Sequence, residues 1–531
     1  MKKSLNIFFW AFLFIITITV FDPSYNLSAS SSAIKSKTKS TVIKKQSSHV
    51  QSDVATQLNN QAQSLYNQRK YDEAEQLFRR VLEIDEKDLG ADHPDVAACL
   101  NNLAILQKTQ GKYIEAEALY RRALSILEKQ YGREYPDVAS CLNNLASVLR
   151  EQGLYAETEP LNRRALAIRL KKLGHDHLDV ATSLNNLGYS LLTQGKYAEA
   201  EPLLRRGLEI RIKKLGSEDP TVAVSMHCLA SLLLIQGNYV EAELLNRRGL
   251  AIREKQLGSE HPDVAESLGN LAELLQTQGK YAEAELLNRR ALEIDEKVFG
   301  KSHPSVAACL NNLAATLLLQ GKYGEAESFF HRSLEIFAMQ LGSEHPIVAT
   351  GISNQASLLS SQGKYAEAEP LYRRSLNIRE QQLGSDHPSV AKSLNYLSYT
   401  LLSQGKYAEA EPLLYRALKI NEKKLGFNHI EVGFTLANIG LLLKQKGKYA
   451  EAEPLFRRSL SINVKQFGGE HPAVAKSLNI LAVILEMQGK YTEAEILYRR
   501  ALAIDEKTLG LDHPVTKLYR NNLNLLLKKM K

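Results

Sequence analysis

Eleven tyrosines, from Tyr71 through Tyr113, Tyr155 and Tyr197 to Tyr491, stand 42 residues apart without one insertion. Glycines keep the same period from Gly90 to Gly510, and His-Pro pairs recur in register from His93-Pro94 to His513-Pro514. By length alone, 531 residues leave room for roughly three or four independent domains. A register held from one end of the body to the other excludes that division. The chain must fold as a single array of one repeated unit, each copy resting on its neighbours.

Within a copy the signals run helix, turn, helix. Leu178 to Gln194 places Val180, Leu184, Leu187 and Leu191 at helical spacing. Gly195 follows where a left-handed glycine closes a helix. After Tyr197, Ala200, Leu203, Leu204, Leu208 and Ile210 form a second apolar stripe. Glu199 and Glu201 lie in its first turn and Lys213-Lys214 in its last, as the helix dipole favours. Glu201 and Arg205 make an i,i+4 pair in the stabilising order. Gly216 ends this helix, and in most copies a proline such as Pro262 opens the next, where its missing N–H is no loss. Pro160, Pro202, Pro370, Pro412 and Pro454 fall deeper, at the end of the first turn, and are expected to remove one hydrogen bond each.

The consensus LNNLAxLLxxQGKYxEAExLYRRALxI resembles the tetratricopeptide repeat. The 42-residue length and the connection EK-x-LG-x-x-HP-x-VA resemble its kinesin light chain subtype, over about residues 51–531. The resemblance implies an all-α fold: a right-handed superhelical solenoid of antiparallel helix pairs. About eleven units would occupy 51–512, with a capping helix at 513–531 whose Lys528, Lys529 and Lys531 give it a polar end. Kinesin light chains carry a heptad region that binds the heavy chain. This chain has an apolar leader and a short linker in its place, so only the repeat and its mode of recognition carry over, not motor function.

The formal charge of +8 suggests an anionic partner until it is divided. Residues 1–50 hold seven lysines against Asp22, and the remaining body is close to neutral. Lys2-Lys3, the apolar run Leu5–Phe21 and the small residues Ser28–Ala33 read as an export signal over 1–33. An uncleaved membrane anchor is the alternative, because the run sits at the lower limit for a span. Residues 34–50, rich in Ser, Thr and Lys, read as a flexible basic linker. The expected location is therefore periplasmic or secreted. Membrane contact is expected only through the N-terminal segment, and nucleic acid is not an expected partner.

The resemblance places the first helix of each pair on the concave side. Asn101, Asn143, Asn185, Asn311 and Asn395 would there offer an amide, both donor and acceptor, to the main chain of an extended peptide. The first asparagine of each Asn-Asn pair is expected to face the groove. The competing reading is that asparagines bond the neighbouring helix. Beyond them the copies differ: Ile105 with Lys108, Ser147 with Arg150, Tyr189 with Leu192, then Leu234, Leu318, and Tyr399 with Leu402. The corresponding ligand is a peptide with apolar side chains along the middle third and an acidic end at Lys108 and Arg150. On this reading, replacing Asn185 and Asn311 by alanine weakens binding without lowering the melting temperature.

Nine histidines share the 42-residue period, but ligands one repeat apart cannot converge on a metal, so no metal or other cofactor is expected. Tyr135 and Asp219 replace two of them. Cys99, Cys141, Cys228 and Cys309 read as buried thiols, too far apart across copies for disulfides. Arginine pairs such as Arg79-Arg80 read as an ion-paired outer face. No phosphate loop, HExxH, Cys-x-x-Cys or nucleophile elbow occurs, and a residue repeated once per copy does not make a unique catalytic constellation. The sequence thus points to a non-catalytic scaffold or adaptor for protein segments. A self-assembling structural protein of the cell envelope is the second reading.

Overall fold

The structure, a computed structural model, describes the backbone from Ser48 onward and side chains from Val54. The expected leader and nearly all of the linker lie outside the described residues. Among those described there are twenty-three α-helices and no strand. They run as eleven antiparallel pairs, from Ser48–Asn67 with Tyr71–Leu89 to Pro472–Met487 with Tyr491–Thr508, followed by Pro514–Met530. First helices such as Pro94–Thr109 span 16 residues and second helices such as Tyr113–Tyr131 span 19. The all-α paired repeat expected from the period is what forms. No described helix is long and apolar enough to cross a membrane. Two compact units are distinguished, one ending at Ser190 and one running from Leu191 to Lys531.

Local sequence sets each boundary. The turn between the two helices of a pair needs a left-handed residue, and Gly111 supplies it at φ 76°. Arg69 occupies the same position in the first pair at φ 62°, the one non-glycine with positive φ among the described residues. The internal prolines do not break their helices: Tyr155–Leu173 continues through Pro160. Pro160, the sixth residue of that helix, lacks the N–H that would reach the Ala156 carbonyl, so the helix goes on at the cost of at most one bond.

The periodic histidines have a specific task. His261 Nδ1 accepts from the Asp263 backbone N–H at 3.1 Å, and His303, His387 and His471 repeat the bond two residues ahead. They are N-caps for the first helices. Asp219 takes over with its carboxylate, 2.8 Å from the Thr221 N–H, whereas the Tyr135 side chain makes no such bond.

Inside a pair, a large residue of the second helix lies against a small one of the first. At Gly440 the fit is tightest, since a Cβ there would stand 2.6 Å from the Phe456 ring. Phe78, Tyr120, Phe330, Tyr372 and Tyr498 fill the same register in other copies. The outer faces of the second helices are tied by charge. Glu285 takes Arg289 at 2.7 Å from its own helix, and Lys322 at 2.8 Å and Gln320 at 2.9 Å from the next copy. Burial alone would raise the Glu285 pKa, but these three donors outweigh it and hold the carboxyl at about 2. Glu369 and Glu453 are held in the same way. The ion-paired outer face read from the arginine pairs is thus present.

Candidate functional site

The first helices form the inner side of the array. Neighbouring first helices, Pro262–Thr277 with Pro304–Leu319 for example, approach one another directly. Asparagine joins them. Asn144 Nδ2 donates to Asn101 Oδ1 at 2.8 Å, Asn354 to Asn311 at 2.7 Å, Asn438 to Asn395 at 3.1 Å and Asn522 to Asn479 at 3.0 Å. Each bond links the second position of one pair to the first position of the copy before.

This geometry corrects the expected groove exposure. Asn185 and Asn311 retain only 2% of their accessible surface and Asn395 none, while Asn101 and Asn143 are also buried. The first asparagine is the acceptor of the inter-helix bond, and the partly exposed member is the second, as at Asn102, Asn144 and Asn186. The reading in which asparagines serve the neighbouring helix fits this arrangement, with side-chain amides rather than main-chain carbonyls as partners. Replacing Asn185 and Asn311 would therefore disturb packing as well as any ligand.

Half-exposed inner positions recur one turn apart. In the first unit they are Ala98, Asn102, Ile105 and Thr109, then Ser140, Asn144, Ser147 and Glu151, then Thr182, Asn186 and Tyr189. Lys108 and Arg150 lie beside this stripe, both half-buried. Lys108 Nζ donates to Ser147 Oγ at 2.7 Å. The Arg150 guanidinium lies 4.7 Å from the centre of the Tyr189 ring and 2.9 Å from the Glu151 carboxylate. Lys108 and Arg150 thus hold the same position in consecutive copies, and Arg150 reaches the Tyr189 ring of the third.

The second unit differs. Leu192 and Leu234 keep part of their surface, but Leu318, Tyr399 and Leu402 are buried. The apolar middle third expected to be open is largely closed. Charges on that side are desolvated accordingly: burial pushes Glu273 up to about 8, and burial lowers Lys392 and Lys476 to about 8.

A further inter-copy relationship escaped the sequence reading. Arg169 donates to the Ser183 hydroxyl at 2.9 Å, fourteen residues on, and to Ser140 at 3.0 Å. Arg253 bonds Ser267 at 2.9 Å, Asn421 bonds Thr435 at 3.2 Å and Asn463 bonds Ser477 at 2.7 Å. Cys309 occupies the hydroxyl's position opposite Asp295, with Sγ 3.4 Å from the carboxylate. The four cysteines are all buried with free thiols, and burial raises Cys99 and Cys141 to about 12, which leaves them inert. Among the described residues no group of His, Cys, Asp and Glu converges as metal ligands would.

The tetratricopeptide repeat family model matches residues 53–129, 137–213, 221–297, 287–339, 305–381, 347–423 and 431–523. No curated protein matches the chain. Among solved structures, the chain is similar to a putative kinesin light chain from Podosopora anserina with nearly identical repeats. The identity is 31% over 39% of this chain and 98% of that one, with a TM-score of 0.34. BtubC (BKLC) from P. vanneervenii shares 24% identity over 44% of this chain and 93% of its own, with a TM-score of 0.37. A Rap protein complexed with competence and sporulation factor shares 17% over 78% and 99%, with a TM-score of 0.45. With matches from residue 53 to residue 523, the chain belongs to the tetratricopeptide repeat family.

Proposed function

We propose that this chain is a non-catalytic scaffold that binds an extended protein segment along the inner face of its first helices, centred on Lys108, Arg150 and Tyr189. The observation that carries this reading is the row across three consecutive copies. Two cations and an aromatic ring stand there partly exposed, the Arg150 side chain at 15% beside the Glu151 carboxylate. Such a row suits an acidic segment with an aromatic or aliphatic side chain beside its carboxylates. The closed inner side of the second unit narrows the site to the first, so the apolar middle third is not part of this proposal.

The test is fluorescence anisotropy of acidic and neutral extended peptides against the wild-type chain and the double variant Lys108→Glu/Arg150→Glu. Acidic peptides should bind the wild type, more weakly as salt rises, and lose roughly tenfold or more in affinity on charge reversal. Equal binding by the variant would remove the row as the site. For location, we propose export directed by residues 1–33. N-terminal sequencing of the mature protein from its own cell should find a start near Ser31 or Ile34, and an intact Met1 would contradict cleavage.

A further inference from the structure

Within the unit from Leu191 to Lys531, residues far apart in the chain meet at regular intervals. The His429 ring lies 3.2 Å from where a Cβ on Gly195 would stand, and the rings of His471 and His513 lie 2.7 Å from the same point on Gly237 and Gly279. Each glycine sits 234 positions before its histidine, between five and six copies earlier. The glycines belong to the turn between the two helices of a pair, and the histidines to the caps that open first helices. His429 and His471 face the main chain of Thr193 and Ile235, whose carbonyls favour a proton on the ring.

A second set of contacts follows the same path. The Tyr197 ring stacks on Phe467 with centroids 5.7 Å apart and planes 11° apart, and Phe467 stacks in turn on His471 at 4.3 Å. Tyr197 and Tyr239 are buried, while Tyr491, at the same position of a later copy, is 40% exposed. A linear stack of copies cannot bring residues 234 positions apart together three times in register. The array must have wound once round and met itself.

We infer that His429, His471 and His513 fasten one winding of this unit to the next, each seated in the space left by a glycine, so that the inner face there is reached only from an end or by parting the windings. The glycine is required on both grounds available to it. Its φ is positive at all three positions, and a Cβ would overlap the imidazole at Gly237 and Gly279 and crowd it at Gly195. An extended segment could reach that interior only from an end or during opening, and a folded partner could not reach it at all.

The variant His429→Asn/His471→Asn/His513→Asn tests this in the full chain. Asparagine keeps the N-cap, as Asp219 does in the natural sequence, but is too short to reach the other winding. Far-UV circular dichroism should be unchanged. The radius of gyration from small-angle scattering should rise. Amide exchange at residues 194–197, 236–239 and 278–281 should quicken by roughly tenfold or more, while exchange at 446–449 stays as it was. Unchanged scattering and exchange would overturn the inference. If the triple variant does not fold, Gly237→Ala and Gly447→Ala decide. Both glycines have φ near 75°, but only the first faces an imidazole. Gly237→Ala should quicken exchange around His471 and Gly447→Ala should not, and identical behaviour would overturn the inference. No ligand enters these measurements, so their outcome is independent of the peptide-binding reading.

Discussion

Arg253 donates from Nη1 to the Ser267 hydroxyl at 2.9 Å and to the Asp263 carbonyl, joining a second helix to the first helix of the next copy. The same step of fourteen residues pairs Arg169 with Ser183, Asn421 with Thr435 and Asp295 with Cys309. A buried guanidinium is tolerated only where several acceptors converge on it, so donor and hydroxyl must change together. Arg379, surrounded by Ser353, Ser375, Ser393 and Thr350, shows the requirement at its fullest. Substituting Ser267→Ala and Arg253→Met singly should each destabilise the adjoining copies. A double-mutant cycle followed by amide exchange should return a coupling of about 1 kcal/mol or more. Strict additivity would contradict the pairing.

The asparagine bonds predict a similar coupling on the inner side. Asn438→Ala removes the donor to Asn395 Oδ1 and leaves that buried oxygen without it. We expect a loss of about 1–2 kcal/mol, with Asn395→Ala adding less on top of it than it costs alone, the remainder being its separate bond from Nδ2 to Thr435 Oγ1. Local exchange protection in the helices Pro388–Ser403 and Ile430–Gln445 is the measurement.

Asp505 keeps 1% of its surface, and neither carboxylate oxygen has a hydrogen-bond partner. Burial pushes its pKa up to about 8. The folded state therefore holds a proton that the unfolded chain releases above the ordinary carboxylate range. Stability contributed here is full at low pH and is lost as pH rises from about 4 to about 8. Asp505→Asn should stabilise the C-terminal copies by about 2 kcal/mol at pH 8 and have little effect near pH 4. Thermal melts at the two pH values test this, and an equal shift at both would contradict it.

Acid should act on the array in two stages. Burial lowers His471 and His513 to about 4, and lowers His429 as well, where nearby Glu431 partly opposes it. The neutral rings stabilise the contact between windings above the unfolded histidine pKa, and that stabilisation is lost as pH falls from about 6.5 through 4. Glu285, Glu369 and Glu453, held at about 2, support the links between copies above the ordinary carboxylate range and release them as pH falls from about 4.5 toward 2. Scattering should therefore report expansion at a higher pH than the one at which helical dichroism falls. Loss of both together would contradict the separation.

The fold was legible because a period of 42 fixes both helices and their turns in every copy. The site was legible only in part. Lys108, Arg150 and Tyr189 could be placed on one face by helical spacing, and Arg150 does reach the Tyr189 ring. The 42-residue period alone does not separate the two readings of the asparagines. The bonds join positions 43 apart, as in Asn311 with Asn354 and Asn395 with Asn438, and that offset separates a groove amide from a packing amide. The histidine caps were hinted at by Asp219 in the same column. Tyr399 and Leu402 are buried in apolar clusters shared with neighbouring copies, and helical periodicity within a single copy does not report that packing.

Site-specific photo-crosslinking in the native cell tests the central claim most directly. A photoreactive residue replaces Ser147 or Tyr189 on the inner row and, separately, Leu286, which is 69% exposed on a second helix. The account predicts discrete protein adducts at Ser147 and Tyr189 that disappear with Lys108→Glu/Arg150→Glu, and none at Leu286. Adducts confined to Leu286, or inner-row adducts indifferent to the charge reversal, would contradict it.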